Sequence, residues 1–237
     1  MINHAVTYNQ TGNIATVSLD SGKANPITFD VISGIHTALD MAQEKGTGAV
    51  VLHGPPHYFT GGFDLAIVRA ADQETIRLVV EGGNLCLRLY SSPRPIVAAC
   101  TGHAVGVGAL LLMSTHYRVG ARGPFRIGLI ETQIGLTMPD WGIELARQRI
   151  PKTHLQQAVV EARVYDADTA LHAGFLDQVT EEAEVIETAT AEAIRLASLP
   201  AHTYKANLMK LRGDSIDRMT NLVDTDRKAA EALSHAS

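Results

Sequence analysis

The feature of this chain that most constrains its fold is an alternation of short apolar runs with helical segments through its first half. Continuous apolar stretches of strand length occupy residues 49–52 and 96–100, and residues 117–120 predict a third strand. Such runs are typical of parallel strands that are buried on both faces of a sheet. Helical sequence separates them and dominates after Pro139. The pattern therefore predicts an α/β fold with a helical C-terminal part.

Local signals place further elements along the chain. Residues 4–8 and 14–19 predict a hairpin around a turn at residues 9–13, because apolar and polar residues alternate in the second strand. A helix capped by Thr28 follows. Its apolar face is Val31, Ile35, Ala38, Leu39 and Ala42. The remaining helical predictions include residues 64–90, 106–114 and 203–236, with a small insertion at residues 174–179. One domain with a helical appendage accounts for this order.

Composition narrows the class of protein. The chain has 46% hydrophobic residues, and its 20 Lys and Arg against 25 Asp and Glu form no basic stripe, which argues against nucleic acid or a membrane as partner. Apolar runs such as residues 106–113 are too short to span a bilayer, and no secretion signal is visible. Cys86 and Cys100 have no metal-ligand spacing and suit buried free thiols. We therefore expect a cytoplasmic enzyme without a metal.

Three glycine-bearing segments, residues 59–65, 101–109 and 127–139, each lie where a buried strand gives way to a helix. In open α/β sheets ligands bind beyond the carboxyl ends of the strands, and helix N-termini there offer free N–H groups to negative charge. Two such turns can direct two amides at one carbonyl oxygen. The alternative is that these glycines only permit tight turns and close packing. Gly106 and Gly108 make a poor dinucleotide fingerprint, because a third glycine and a following acidic residue are missing.

Glu131 is the carboxylate that most suggests catalysis. It stands in an apolar stretch, where an ionised side chain is costly without a partner and where burial raises the pKa towards that of a general base. Its apolar neighbours are Ile127, Leu129, Ile130, Ile134 and Leu136. The alternative is a glutamate that points to solvent from a loop. Of the 10 histidines, His103 and His57 are of interest because they flank the second and first segments.

At these three segments, and at residues 23–27 and 167–179, the chain resembles the enoyl-CoA hydratase/isomerase (crotonase) superfamily over essentially its whole length. The resemblance implies a crotonase-like ββα spiral core over residues 1–195 and a helical trimerisation segment over residues 196–237. It also implies a homotrimer or a dimer of trimers. The substrate would be an acyl-CoA thioester, so coenzyme A belongs to the substrate and no separate cofactor is expected.

Carried over residue by residue, the resemblance places two oxyanion donors at the backbone N–H groups of Phe63 and Val107, and the acid/base at Glu131. Val107 departs from the glycine that is usual in the family. The residues assigned to substrate and CoA binding are Lys23, Ala24, Asn25, Gly61, Gly62, Asp64, Leu65, Gly106, Leu110, Met138 and Trp141. Lys205 and Lys210 are further candidates for the CoA phosphate, and Ile67 and Leu112 for the acyl pocket.

Leu110 is the informative departure from the family pattern. Hydratases of the family usually carry a glutamate there and a second at the position of Glu131, whereas this chain keeps Glu131 alone. The pattern is similar to that of single-glutamate Δ3,Δ2-enoyl-CoA isomerases. Two alternatives stay open: a hydratase in which Asp140 or Glu144 supplies the second carboxylate, and an acyl-CoA-binding protein without turnover.

Overall fold

The computed structural model describes residues 1–70 and 72–234. The strands in this part of the chain are β1 Val6–Thr11, β2 Ile14–Leu19, β3 Ala49–His53, β4 His57–Thr60, β5 Ile96–Cys100, β6 Gly102–Val105, β7 Tyr117–Arg122, β8 Ile127–Gly128 and β9 Gln178–Glu181. The α-helices are α1 Phe29–Glu44, α2 Leu65–Ala70, α3 Gln73–Tyr90, α4 Val107–Ser114, α5 Asp140–Arg149, α6 Lys152–Val159, α7 Ala167–His172, α8 Val185–Ala197 and α9 Ala201–Ser234. Two short 3-10 helices cover Thr132–Ile134 and Glu182–Glu184.

The strands form two sheets. The larger has the order β1-β2-β3-β5-β7-β9, in which β1 and β2 make an antiparallel hairpin and all other neighbours are parallel. The smaller sheet has the order β4-β6-β8 and is parallel. Each of the pairs β3/β4, β5/β6 and β7/β8 therefore places one strand in each sheet and leads into helical structure. These successive turns form a ββα spiral, which confirms the predicted fold class.

The large sheet is covered on both faces. Val50 and Leu52 of β3 pack in the core beneath α1 and α3, whereas Val51 faces a second core formed with Ala189 and Ala193 of α8. Successive strand residues point to opposite faces, so both sets must be apolar. The uninterrupted apolar runs in the sequence follow from this double burial.

Four sequence expectations need correction. The sequence did not predict the small sheet, whose strands have two to four residues and are too short to show a period. The small insertion at residues 174–179 instead leads into β9, and β1 extends to Thr11. The helix expected over residues 64–90 is divided, because Asp72 caps α3 by accepting N–H bonds from Glu74 and Thr75.

Helix α9 packs against α3 and α5 of its own chain. Leu208, Met219 and Val223 are buried in this contact region, while Leu211 is 83% exposed. Residues 235–237, the last part of the predicted segment 196–237, lie outside the described residues. No helix in the described residues combines the length and apolarity needed to cross a membrane.

Candidate active site

The small sheet brings the three glycine-bearing segments together. Its strands β4, β6 and β8 are neighbours and parallel, with Thr60 paired to Ala104, and Val105 to Gly128. Carboxyl ends of neighbouring parallel strands meet at one edge of a sheet. The segments that follow these strands therefore converge. The positions of the large-sheet strands in the sequence did not by themselves predict this convergence.

Glycines let the first two segments touch through their backbones. A Cβ added to Gly62, which has φ +96°, would lie 2.9 Å from the carbonyl oxygen of Val105. A Cβ on Gly108 would lie 2.6 Å from the carbonyl oxygen of Thr60. Side chains at either position would force the two loops apart. The interpretation of these glycines as packing devices and their interpretation as site residues are therefore compatible.

The backbone amides of Phe63 and Val107 lie at this contact. The position of a Cβ on Gly62, next to Phe63 in the chain, is 3.9 Å from the nitrogen of Val107. Val107 is the first residue of α4, where an amide has no acceptor within the helix. Within the described residues neither N–H is engaged by a backbone or side-chain acceptor. Gly106 has φ 58° and ψ −131°, so the sharp turn of the backbone lies at this glycine. Val107 follows in a helical conformation, which a valine can adopt.

Glu131 lies against the same turn. Its Oε1 is 3.6 Å from the position of a Cβ on Gly106, and its Oε2 is buried without a hydrogen-bond partner among the described residues. Burial raises the pKa of the Glu131 carboxyl, and a smaller opposing effect comes from its own backbone N–H. The alternative in which Glu131 points to solvent from a loop does not fit this burial. An unpaired carboxylate with a raised pKa is suited to exchange protons with a bound ligand.

The amides and the carboxylate line one cavity of about 170 Å³. Its walls are mainly apolar, and they include Leu65, Leu110 and Trp141, three of the residues assigned to substrate binding. Among the described side chains that line it, Glu131 is the only ionisable one. Leu65, Ile134 and Leu136 are 51%, 49% and 42% exposed, so they form the open rim of the cavity. Such a site can hold an acyl group beside one base and two N–H donors.

Several residues predicted to contact the ligand are not part of this cavity wall, and their contact with a ligand stays a prediction. Met138 and Leu112 are buried but do not line the cavity, and Ile67 does not line it either. Asp64 accepts the Ala66 N–H at the start of α2 and is likewise absent from the cavity wall. For Ile67 in α2 and Leu112 in α4 the reason is that side chains on a helix diverge, so neighbours in sequence face different surroundings.

The loop at residues 23–25 supports the site rather than lining the cavity. Asn25 is 1% exposed, and its Nδ2 donates to the Phe59 carbonyl at 2.7 Å while its Oδ1 accepts from the N–H and hydroxyl of Ser21. The carbonyl of Ala24 accepts the Gly61 N–H at 2.8 Å. The side-chain polar atoms of Asn25 hold the first glycine segment, and its role as a CoA contact stays a prediction. Lys23 is exposed beside this loop.

The carboxylates considered as partners of Glu131 are outside the cavity. Glu144 accepts from Gln148 Nε2 at 2.9 Å and lies 3.7 Å from Arg218 of α9. Asp140 is exposed at the start of α5. Neither residue lines the cavity, so the described residues of the wall offer one carboxylate rather than two.

The histidines and cysteines also have other roles. His103 Nδ1 accepts the Arg126 N–H, and His57 pairs with Glu182 at 3.0 Å. Neither histidine lines the cavity. Cys86 and Cys100 are buried free thiols as predicted, and burial raises the pKa of each to about 12.

The contribution of α3 to the cavity wall was not predicted from the sequence. Thr75 and Val79 of this helix line the wall, and Val68 of α2 joins them. Thr75 and Val79 are four residues apart, which places them on one face of the helix. That spacing is visible in the sequence, but the residues of the helix alone do not show which of its faces lines a ligand cavity.

A ββα spiral whose small sheet presents two free amides and a buried carboxylate to an apolar cavity has the architecture of crotonase-type enzymes. The family model described as Enoyl-CoA hydratase/isomerase matches residues 9–236, and the chain belongs to this family of enzymes.

Relatives of the chain carry both activities in their names. It is 26% identical over 202 residues to a probable enoyl-CoA hydratase of Bacillus subtilis, which covers 84% of this chain and 78% of the relative. It is 24% identical over 220 residues to human mitochondrial enoyl-CoA delta isomerase 1, and this match covers 90% of this chain and 72% of the relative. A solved enoyl-CoA hydratase/isomerase family protein of Pseudomonas syringae is 38% identical with a TM-score of 0.93, which covers 96% of this chain and 99% of that one.

Proposed function

We propose that this protein is an enoyl-CoA isomerase that converts a 3-enoyl-CoA into the 2-enoyl-CoA, with Glu131 as its single acid/base. The observation that carries the proposal is the cavity wall, in which Glu131 is the only ionisable side chain of the described residues. Leu110 lines the cavity at the position where the resemblance to hydratases predicts a second glutamate. A leucine neither binds nor activates water.

The reaction requires one base and one oxyanion site. The Glu131 carboxylate takes a proton from C2, and the electron pair of that C–H bond passes into a dienolate whose negative charge lies on the thioester oxygen. The N–H groups of Phe63 and Val107 stabilise this oxygen. The protonated Glu131 then returns the proton to C4, so the double bond moves from C3–C4 to C2–C3 without a change in composition.

The two kinds of group contribute by different routes. A well-placed oxyanion donor typically stabilises the transition state by about 3 kcal/mol, and a positioned base accelerates proton transfer by roughly 10²–10⁴-fold. The raised pKa of Glu131 favours removal of the C2 proton, because a carboxyl that binds its proton more firmly is a stronger base in its ionised form.

A hydratase is the second candidate, since relatives with that name match the chain. Hydration needs a second group to activate or protonate water, and Glu144 is instead bonded to Gln148. A binding protein without turnover is the third candidate. Free amides and an unpaired carboxylate at one cavity argue for chemistry, because a purely apolar wall would suffice to hold an acyl chain.

The test supplies 3-enoyl-CoA and 2-enoyl-CoA separately and scores products by structure. We expect double-bond migration from the first and little water addition to the second. Glu131→Gln should remove turnover while CoA-ester binding persists, and Glu144→Gln is the matched control that should retain activity. Water addition that depends on Glu144 would favour the hydratase, and the absence of both reactions would favour the binding protein.

We propose a homotrimer or a dimer of trimers as the assembly, with CoA bound near the exposed Lys23. Met209 and Leu211 on the outer face of α9 are 42% and 83% exposed, which supports a contact between subunits there. Light scattering of wild type and Leu211→Lys tests this, since a monomeric wild type contradicts it.

A further inference from the structure

We propose that Gly82 is a positioning residue, through which helix α3 sets the spacing of the two oxyanion amides, and that Gly83 beside it seats the cavity residue Trp141. This inference rests on the proposed oxyanion role of Phe63 and Val107. It assigns a function to a helix that carries no acid, base or hydrogen-bonding group for the reaction.

The backbone does not explain these two glycines. They occupy the interior of α3, where glycine is a poor residue compared with alanine. Neither has a positive φ, so a side chain would suit the conformation. Both are buried, and adjacent glycines that weaken a helix need a reason outside it. The reason is that neighbouring side chains occupy the space that a Cβ would need at either position.

Gly82 is the place where the side chains of both oxyanion residues meet. A Cβ at Gly82 would lie 2.5 Å from Cζ and 2.8 Å from Cε1 of Phe63, and 3.7 Å from Cγ2 of Val107. The Phe63 ring thus rests on the bare backbone of the helix. Cγ2 of Val107 would be in ordinary van der Waals contact with that Cβ, so the ring of Phe63 is the group that a side chain at position 82 would displace.

Gly83 has the same relation to the cavity wall. A Cβ there would lie 2.9 Å from Nε1 and 3.0 Å from Cε2 of Trp141, and 3.0 Å from Cγ2 of Val223 in α9. The indole is fully buried and held between α3 and its own helix, so it has little freedom to retreat. A methyl group at Gly83 would therefore move the ring and change the shape of the space for the acyl chain.

A methyl group at Gly82 would change the position of an amide that binds the reacting oxygen. The Phe63 ring must move, and we expect part of that displacement to reach the backbone N–H of Phe63, because the ring is joined to this backbone through a single Cβ. A displacement of about 1 Å in such a site costs up to roughly 10²-fold in rate. Affinity for the CoA part of the ligand should change little, since that part binds elsewhere.

The experiment compares Gly82→Ala and Gly83→Ala with Gly213→Ala. Gly213 is the matched control, because it is also a helical glycine but a Cβ there meets nothing within 4 Å. The quantities to measure are kcat and KM with short and long 3-enoyl-CoA, and the temperature of thermal unfolding. A further quantity is the ultraviolet absorbance of the enolate formed by bound acetoacetyl-CoA. The enolate absorbance reports on the two amides without any turnover.

We expect Gly82→Ala to lower kcat by about tenfold or more with KM within about threefold, and to weaken the enolate absorbance. Adding Phe63→Leu, which shortens the group that meets the new methyl, should restore kcat to that of Phe63→Leu alone. Gly83→Ala should lower kcat/KM more for the longer acyl chain than for the shorter. Gly213→Ala should behave as wild type in each kinetic measurement.

The inference is overturned if Gly82→Ala keeps its kcat and enolate absorbance, or if Phe63→Leu fails to rescue it. It is also overturned if wild type binds acetoacetyl-CoA without the absorbance, because the oxyanion assignment then fails. A wild type that shows the absorbance but no double-bond migration contradicts the proposed isomerase alone and leaves the role of Gly82 supported.

Discussion

Replacing Glu131 by glutamine should abolish turnover and, at neutral and higher pH, stabilise the fold. Glutamine has nearly the same shape as glutamate but carries no charge. In the wild type, Oε2 is buried without a hydrogen-bond partner among the described residues, and burial raises the pKa of the carboxyl. The ionised side chain is therefore held at a cost that the folded protein tolerates for its chemistry.

The size and pH dependence of this effect follow from the same burial. An unsatisfied buried polar group costs about 1–3 kcal/mol, and part of that cost persists for the neutral amide, so we expect a gain of about 1–2 kcal/mol at pH 8. Below the ordinary pKa of glutamate the carboxyl is protonated in both folded and unfolded states, and the gain disappears. As pH rises through the raised folded-state pKa of Glu131, the wild type loses stability relative to the variant.

Urea unfolding of wild type and Glu131→Gln from pH 5 to pH 8 measures the difference, and Glu44→Gln, a change at an exposed carboxylate of α1, is the control that should show little. In wild type, kcat/KM should rise with pH through the same raised pKa, because the base must be ionised. A variant that is inactive but no more stable at pH 8, or a stability difference that does not change with pH, would refute the burial argument.

Three further predictions concern stability and can be measured by chemical or thermal unfolding. Asn25→Ala should lower the free energy of unfolding by about 3 kcal/mol, because it leaves the buried carbonyl of Phe59 without its donor; a loss below 1 kcal/mol would contradict this. Arg118→Leu should cost about 3–5 kcal/mol since its paired carboxylate loses a buried partner, whereas Arg122→Leu, which removes two exposed ion pairs, should cost far less; equal costs would contradict the difference in burial. Gly213→Ala should add about 0.5–1 kcal/mol, and a destabilised variant would show that α9 needs this glycine.

Much of the fold was predictable from local pattern. The apolar runs at β3 and β5 are continuous because these strands are buried on both faces, and burial on two faces leaves no other pattern. The cap of α1 at Thr28 was also readable, since its hydroxyl accepts the Val31 N–H three residues later. Both signals arise within a few residues of where they act.

Part of the site was equally local in origin. A glutamate in an apolar stretch predicted a buried acid, with a solvent-facing loop as the alternative, and the structure places Glu131 in an apolar cavity wall. The glycines at the three segments indicated turns and close approach. What these signals lacked was any measure of distance between one segment and another.

The tertiary structure decided how the segments meet. Strand β8 has two residues, too few for a sequence pattern, yet its pairing with β6 aligns the segment of Glu131 with the turn at Gly106. The role of Asn25 as a support and the fit of the Phe63 ring on Gly82 likewise depend on partners more than 15 residues away. Composition and periodicity describe what each segment needs to bury, whereas the choice of partner depends on packing among all of them at once.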